Sequence, residues 1–311
     1  MKTLMKHMAV TLAVLLATVA AQAITKTWDG GGADDAWSTA LNWTDDVAPA
    51  DFDDLVLTGD VRTNNLSTGT VANRNYSVTF DANAGTFYIG TAGQTIRLKP
   101  EGIVNNSVYT QIFTEVMQLN PASLQDCVIN CAAGPISFAG PVSAQLNFLN
   151  FQNGIVKEGS HYLDLGAGSC SYQGNLTINQ GMVLCRGNAV VGASDYGMVI
   201  VNDGTTIDLN PTTAGRSYNR KPMVLYGQAI GSTASAITWN SNIYIMSAAA
   251  IISNPGTFTV NGTITGVYGL TKTGAGNLTL NPTFPALANG TNAYTGPTRI
   301  LQGSLQIKVD G

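Results

Sequence analysis

An internal repeat is the feature that most limits what this 311-residue chain can fold into. The first copy runs from about residue 136 to 184 and the second from about 258 to 307. A unit of this size cannot bury its leucine and isoleucine face alone, so neighbouring units must stack on it. The first copy has Lys157, Gly159, Leu163, Leu165, Tyr172, Gly174, Ile178, Gly181 and Val183 where the second has Lys272, Gly274, Leu278, Leu280, Tyr294, Gly296, Ile300, Gly303 and Leu305.

The repeat positions have distinct expected roles. The aliphatic positions should point into a shared core, and each copy is long enough for about two coils of a solenoid. The glycines are expected at turns that need a positive φ, which glycine adopts without steric cost. Tyr172 and Tyr294, each two residues before a glycine, are interpreted as packing at a turn. Seven extra residues lie between Leu280 and Tyr294 in the second copy, and Pro282 marks them as a loop.

The rest of the sequence favours strands over helices. Charged residues make up only 11% of the chain and 34 residues are glycine, whereas helical surfaces are usually rich in lysine and glutamate. From about Asp54 onward, short runs of alternating apolar and polar residues are separated by turn residues, which indicates strands with one buried face. One segment, residues 108–119, also fits a helical spacing, but its β-branched and aromatic residues favour a strand.

The N-terminus predicts export. Lys2 and Lys6 precede an apolar stretch from Met8 to Ala20, and Ala21-Gln22-Ala23 follows, which is typical of a signal peptide over residues 1–23. The apolar stretch is shorter than the roughly 20 residues that a membrane-spanning helix needs. We therefore expect a secreted mature chain with no membrane span, located outside the cell or on its outer surface.

Residues 24–55 are predicted to cap the N-terminal end of the solenoid, and residues 56–311 to form its coils. Trp28, Trp37 and Trp43 would plug the open end, since a first coil otherwise exposes apolar core and unpaired strand edges. The alternative is a platform on which sugars stack. The aspartates of this segment could bind Ca²⁺ through their oxygens, but their spacing matches no known calcium loop, so a solvated cap is favoured.

No catalytic, cofactor or metal site is expected. Neither His7 nor His161 completes a metal ligand set, and no nucleophile has a recognisable partner. Cys170 and Cys185 could form a disulfide if they lie on neighbouring coils, although buried free thiols are favoured. The net charge of −4 and the scattered basic residues make nucleic acid an unsuitable partner.

The second copy resembles the autotransporter-associated β-strand repeat. The resemblance rests on residues 270–280, LTKTGAGNLTL, on Tyr294-Thr295-Gly296-Pro297-Thr298, and on residues 302–307, QGSLQI. The first copy resembles a degenerate member, and the opening Trp28-Asp29-Gly30-Gly31-Gly32 is similar to the segment often found ahead of such repeats. The resemblance implies a right-handed parallel β-helix on a secreted or cell-surface protein of a Gram-negative bacterium.

The expected function is that of a non-catalytic scaffold, such as an adhesive stalk that contacts polysaccharide or protein on other surfaces. The alternative is an extracellular β-helix that binds or cleaves polysaccharide, because such enzymes carry their acid and base residues on one outer face. The chain shows neither the membrane barrel nor the sorting tail usual in the family. We therefore expect it to be a fragment of a longer protein rather than a short, released member.

Overall fold

A computed structural model describes residues 23–65, 74–90, 95–119, 125–144, 153–166, 170–186, 191, 197–210, 216–219, 221–231, 236–282 and 292–308. The predicted signal peptide lies almost entirely outside them. The described strands form three sheets of 14, 11 and 5 strands, in which every paired strand runs parallel to its neighbour. The protein is therefore an all-β parallel β-solenoid.

Successive passes of the chain add strands in sequence order, except that a short branch leaves sheet 1 at the fourth strand of its main path and that the smallest sheet begins only in the C-terminal half. Sheet 1 contains β1 Thr25–Trp28, β2 Asp54–Leu57, β4 Asn75–Phe80, β6 Thr95–Asn105, β8 Val116–Leu119, β9 Cys127–Asn130, β11 Val142–Ala144, β12 Ile155–Glu158, β14 Leu176–Ile178, β16 Val199–Val201, β19 Met223–Leu225, β22 Ile243–Ile245, β25 Ile264–Gly266 and β28 Ala293–Tyr294. Sheet 2 contains β3 Asn64–Asn65, β5 Tyr88–Ile89, β7 Gln111–Phe113, β10 Ile136–Phe138, β13 Tyr162–Leu165, β15 Met182–Cys185, β17 Thr206–Leu209, β20 Gln228–Ile230, β23 Ile251–Ser253, β26 Thr271–Thr273 and β29 Arg299–Ile300. Sheet 3 contains β18 Arg216–Asn219, β21 Ile237–Asn240, β24 Phe258–Val260, β27 Asn277–Leu280 and β30 Ser304–Ile307.

Stacked aliphatic side chains hold the coils together. The residues that pair across β12, β14, β16, β19, β22 and β25 form one buried column along sheet 1: Ile155, Leu176, Val199, Met223, Ile243 and Ile264. Their neighbours along each strand are more exposed, as the alternation in the sequence predicts. Each such side chain contributes about 1.5–3 kcal/mol by leaving water, so the stack supplies its own core.

The segment 108–119 is not helical. It forms β7 and β8, which pair in parallel with strands of the neighbouring coils, so the strand prediction is confirmed. The helical spacing of apolar residues does not decide the structure here. Parallel pairing on both sides of β7 satisfies the backbone hydrogen-bonding groups in the same way as in the other coils. Within the described part of the chain, the helical content is a single 3₁₀ turn, Ala40–Asn42.

The two ends of the stack differ. At the N-terminal end, residues 42–44 run antiparallel along the outer edge of β1, where Asp29 N donates to Asn42 O at 3.0 Å and Thr44 N to Thr27 O at 3.0 Å. At the C-terminal end, β28, β29 and β30 are the last described strands of their sheets. β1 lies inside the segment predicted as a cap, yet it pairs with β2 as the first strand of sheet 1.

All four cysteines are buried free thiols, so the structure contains no Cys170–Cys185 disulfide. Burial in apolar surroundings raises the pKa of Cys170 to about 12, which keeps the thiol neutral and unreactive. Across the residues that the structure describes, no helix has the length and apolar character needed to cross a membrane.

Candidate functional site

The two repeat lysines form the same buried clamp. Lys157 Nζ donates to the carbonyl oxygens of Glu158 and Gly159, both at 2.7 Å, and to that of Gln180 in the next coil at 3.1 Å. The second copy reproduces the arrangement, and Lys272 Nζ donates to Thr273 O, Gly274 O and Gln302 O at 2.6, 2.7 and 3.2 Å. Each ammonium therefore ties a turn to the turn stacked above it. Burial lowers the pKa of both lysines.

Four of the six repeat glycines have the positive φ that the sequence predicts. They are Gly159, Gly181, Gly274 and Gly303, with φ between 67° and 80°. Gly174 and Gly296 do not, and for these two the prediction is wrong. Gly296 is required for a different reason, because a Cβ there would lie 2.3 Å from the backbone nitrogen of Gly269 in the coil below.

Each copy spans two stacked coils at one corner of the solenoid. In the first copy Lys157 pairs with Ile178 and Leu163 with Val183, and in the second Lys272 pairs with Ile300 and Leu278 with Leu305. The corners differ: the first copy turns from sheet 1 into sheet 2, and the second from sheet 2 into sheet 3. The repeat is thus a unit of turn geometry that the fold uses at more than one corner.

The aliphatic positions of the repeat differ in burial according to their depth in the stack. Leu163, Leu165, Ile178, Leu278 and Leu280 are buried. In the last coil Leu305 is only partly buried and Ile300 is 49% exposed, although each pairs with an inward-facing residue of the coil below. The coil below covers these side chains, and no coil above them is among the residues that the structure describes.

Tyr172 meets a residue that sequence reasoning missed. Lys221 is fully buried, its Nζ lies 4.3 Å from the centroid of the Tyr172 ring, and it also donates to the carbonyl oxygen of Gly174. Burial lowers the pKa of Lys221 to about 7. The two residues lie 49 positions apart in the sequence, so only a signal linking distant coils could have revealed the pair. Tyr294 behaves differently, as its hydroxyl contacts Thr298 Oγ1 at 2.6 Å near the surface.

The three tryptophans of the N-terminal segment are packed, with no exposed surface. Trp43 makes edge contacts with Trp28 and Trp37, at centroid distances of 5.3 and 6.3 Å. Each indole N–H finds an acceptor: Val61 O for Trp28, Asn65 Oδ1 for Trp37 and Trp37 O for Trp43. No ring face is free for sugar stacking, so their burial favours the packing interpretation. That the segment serves as a cap stays a prediction.

The N-terminal aspartates bind their own backbone and neighbouring cations. Asp53 accepts from Ala50 N at 2.7 Å and from Ile24 N at 3.2 Å, and Asp34 accepts from Ala36 N at 3.0 Å. A hydrogen bond from the Thr39 hydroxyl is the main cause that lowers the pKa of Asp34. Throughout the described ranges, no three histidine, cysteine, aspartate or glutamate side chains come together as a metal site.

A pair of carboxylates on the outer face of sheet 2 is the feature that best supports the alternative function, cleavage of polysaccharide. Asp164 and Asp208 both pair with Leu184 of the strand between them, and both are nearly buried. Asp164 Oδ2 lies 3.2 Å from Arg186 Nε and accepts from Ser137 Oγ at 3.3 Å. Burial is the main cause that raises the pKa of Asp164. The backbones of these two residues lie two coils apart, roughly 10 Å along the stack, slightly more than the about 6.5–9.5 Å that separates the carboxyl groups of inverting glycoside hydrolases.

Comparison with known proteins finds a match within the second copy of the repeat. The family model of the passenger-associated-transport-repeat matches residues 270–307. These residues include the Lys272 clamp, the glycines at 274, 296 and 303, and the last described strands of all three sheets. No curated protein and no solved structure shows significant similarity to the chain.

Proposed function

We propose, from the premise that this β-solenoid carries an autotransporter passenger repeat, that the chain is a non-catalytic scaffold displayed on or released from the bacterial surface. The observation that carries the proposal is the repeat at residues 270–307, whose turns and inward side chains build the coil itself. In this segment the lysine, glycine and leucine positions all stabilise the stacking of coils. Their side chains therefore support the fold rather than a reaction.

The buried character of the titratable groups also supports a scaffold. Lys157, Lys221 and Lys272 are buried on backbone carbonyls, and the four thiols are buried and free. None of these groups is placed where a substrate could reach it. A stack of coils held by such internal contacts would suit a stalk that carries loops away from the cell, and an adhesive role is part of the proposal.

Surface display can be tested directly. The full gene, with an epitope tag inserted between Asp203 and Gly204 in an exposed turn, would be expressed in a Gram-negative host, and intact cells would be treated with protease. We expect the tag in the surface fraction or the medium, and its loss on protease treatment. Retention of the tag in the cytoplasm, with the N-terminal segment uncleaved, would contradict the proposal.

The alternative is a polysaccharide-cleaving β-helix, favoured by the Asp164 and Asp208 pair. Incubation with acidic and neutral polysaccharides, with and without Ca²⁺, should release no products if the chain is a scaffold. Products that disappear in the Asp164→Asn and Asp208→Asn variants would instead establish an enzyme that acts through this pair.

A further inference from the structure

The charge of the chain is divided unevenly along its length. Between Leu209 and Val309 the sequence contains no aspartate or glutamate, while the net charge of the whole chain is −4. The basic residues of this part are Arg216, Arg220, Lys221, Lys272, Arg299 and Lys308. Lys221 and Lys272 are buried, so among the described side chains of this part Arg299 and Lys308 are the cations that face solvent. With no carboxylate nearby in the sequence, they make the C-terminal coils more favourable for an anionic ligand than the aspartate-rich N-terminal segment.

A concave notch lies on the surface of these coils, at the corner between sheets 1 and 2. It has a volume of about 170 Å³ and is partly open to solvent. Three successive turns build it: the turn after β22, the turn between β25 and β26, and the turn between β28 and β29. Its lining residues are Ala248, Val267, Tyr268, Gly269, Thr271, Gly296, Pro297 and Arg299.

Arg299 supplies the charge of the notch. It is exposed, it pairs with Thr271 of the coil below, and its guanidinium makes no hydrogen bond or ion pair with the residues that the structure describes. Cations nearer the N-terminus are neutralised instead, as Lys99 is by Asp54 and Arg186 by Asp164. Arg299 is thus available for a ligand carboxylate, which a guanidinium can bind through two parallel hydrogen bonds.

The floor of the notch is apolar, and its backbone turns are closely packed. Tyr268 is 40% exposed and Val267 is 66% exposed, so aromatic and aliphatic surface faces solvent beside Arg299. Gly269 lets the coils approach closely, since a Cβ there would lie 2.1 Å from the carbonyl oxygen of Pro297. A preformed apolar surface with a few polar groups at its rim is the usual character of a ligand site.

We propose that this notch binds a carboxylate-bearing sugar unit of an acidic polysaccharide. The apolar face of the sugar ring would lie on Tyr268 and Pro297, its carboxylate would pair with Arg299, and the Thr271 hydroxyl is within the same lining to bind sugar hydroxyls. An acidic peptide would instead add to a sheet edge, and the notch is made of corner turns. The inference gives the proposed scaffold a ligand. It rests on the proposed function only for the location, outside the cell, at which the chain would encounter that ligand.

Calorimetric titration of the purified full chain with oligogalacturonates tests the proposal. We expect saturable binding that Arg299→Gln weakens about tenfold, the effect of losing one charge-assisted contact. Tyr268→Ala should weaken it several-fold. Lys308→Gln removes an exposed cation outside the notch, and Tyr88→Ala removes an exposed tyrosine from a distant coil. Both control variants should bind as the wild type does, and unchanged melting of all four variants would exclude misfolding.

Three outcomes would overturn the proposal. The first is equal binding of neutral maltohexaose, which would show that the carboxylate plays no part. The second is an equal loss of affinity in Arg299→Gln and Lys308→Gln, which would indicate diffuse charge attraction. The third is tighter binding of hexaglutamate than of oligogalacturonate, which would identify a peptide ligand. Each result is read on purified protein, so it is independent of whether the chain reaches the cell surface.

Discussion

The two copies of the repeat make the same turn but lie at different depths in the stack. Around Lys157 a coil is stacked on each side, whereas around Lys272 the coil above is the last that the structure describes. The clamp distances agree within about 0.1 Å between the copies. Burial does not agree, as Val183 is fully buried while its counterpart Leu305 is not. Turn geometry is therefore a local property, and the burial of a side chain is set by its neighbouring coils.

The largest expected difference between the copies concerns the aliphatic positions. Leu163→Asp places a charge in the closed interior and should cost about 4 kcal/mol or more in the free energy of unfolding. Leu305→Asp can turn its carboxylate to water at the open side and should cost about 1 kcal/mol. Urea denaturation followed by circular dichroism measures both. Similar losses in the two variants would show that depth in the stack has little effect.

Glycine substitutions should affect both copies equally. A Cβ at Gly159 would lie 2.4 Å from the Cys131 backbone, and one at Gly274 would lie 2.5 Å from Asn254 O, each at a φ near 80°. We expect each alanine variant to lose about 3 kcal/mol, because strain and overlap with the coil below add together. Gly204, at φ +73° with open space around it, is the matched control.

The control separates strain from overlap. Gly204→Ala should lose only about 1 kcal/mol, the cost of the left-handed conformation by itself. Thermal melting of the three variants gives the comparison. A loss in Gly204→Ala as large as that in Gly159→Ala would mean that close stacking of the coils contributes nothing at these turns.

The lysine clamps should contribute moderately to the free energy of unfolding. Lys157→Met keeps the aliphatic stem but leaves three carbonyl oxygens without their donor, and we expect a loss of about 2–3 kcal/mol. Lys272→Met should lose less, about 1–2 kcal/mol, because water can reach the more open last coil and replace the ammonium. Chemical denaturation at pH 7 measures both variants. A larger loss for Lys272→Met would contradict the assignment of greater depth to the first copy.

Lys221 should make the free energy of unfolding depend on pH more strongly than either repeat lysine does. Its pKa is about 7 in the folded protein and 10.5 in the unfolded chain, so the unfolded chain binds more protons between these values. The penalty for burying the charge is complete below pH 7 and is relieved as pH rises toward 10.5. Relative to Lys221→Met, the wild type should gain on the order of 1–2 kcal/mol between pH 6 and 8.5.

The difference between the two proteins isolates this lysine, because burial raises the pKa of Cys170, the thiol that interacts with Lys221, to about 12, well above the pH range of the comparison. Melting curves at pH 6 and pH 8.5 provide the measurement. A gap between wild type and Lys221→Met that stays constant over this range would show that Lys221 remains charged in the folded protein, with the Tyr172 ring compensating its burial.

The sequence determined the strands, the repeat and the turn chemistry. Alternating residues specified one buried face, and Lys157 and Lys272 mark their turns because two of the three contacts of each ammonium are made with carbonyls one or two residues away. The inward direction of Leu163 and Leu278 followed in the same way. These features depend on a few consecutive residues, so they can be read without knowing how many residues each coil contains.

The tertiary structure alone decided what meets across coils. The two copies occupy different corners, Tyr172 packs under Lys221, and Arg299 joins Tyr268 in one notch only after several coils of unequal length have been stacked. Each insertion shifts which side chains face each other. Ile300 keeps its pairing with Lys272 but is exposed, because it lies in the last described coil. Contacts of this kind depend on the summed length of every intervening turn, a quantity that no local pattern contains.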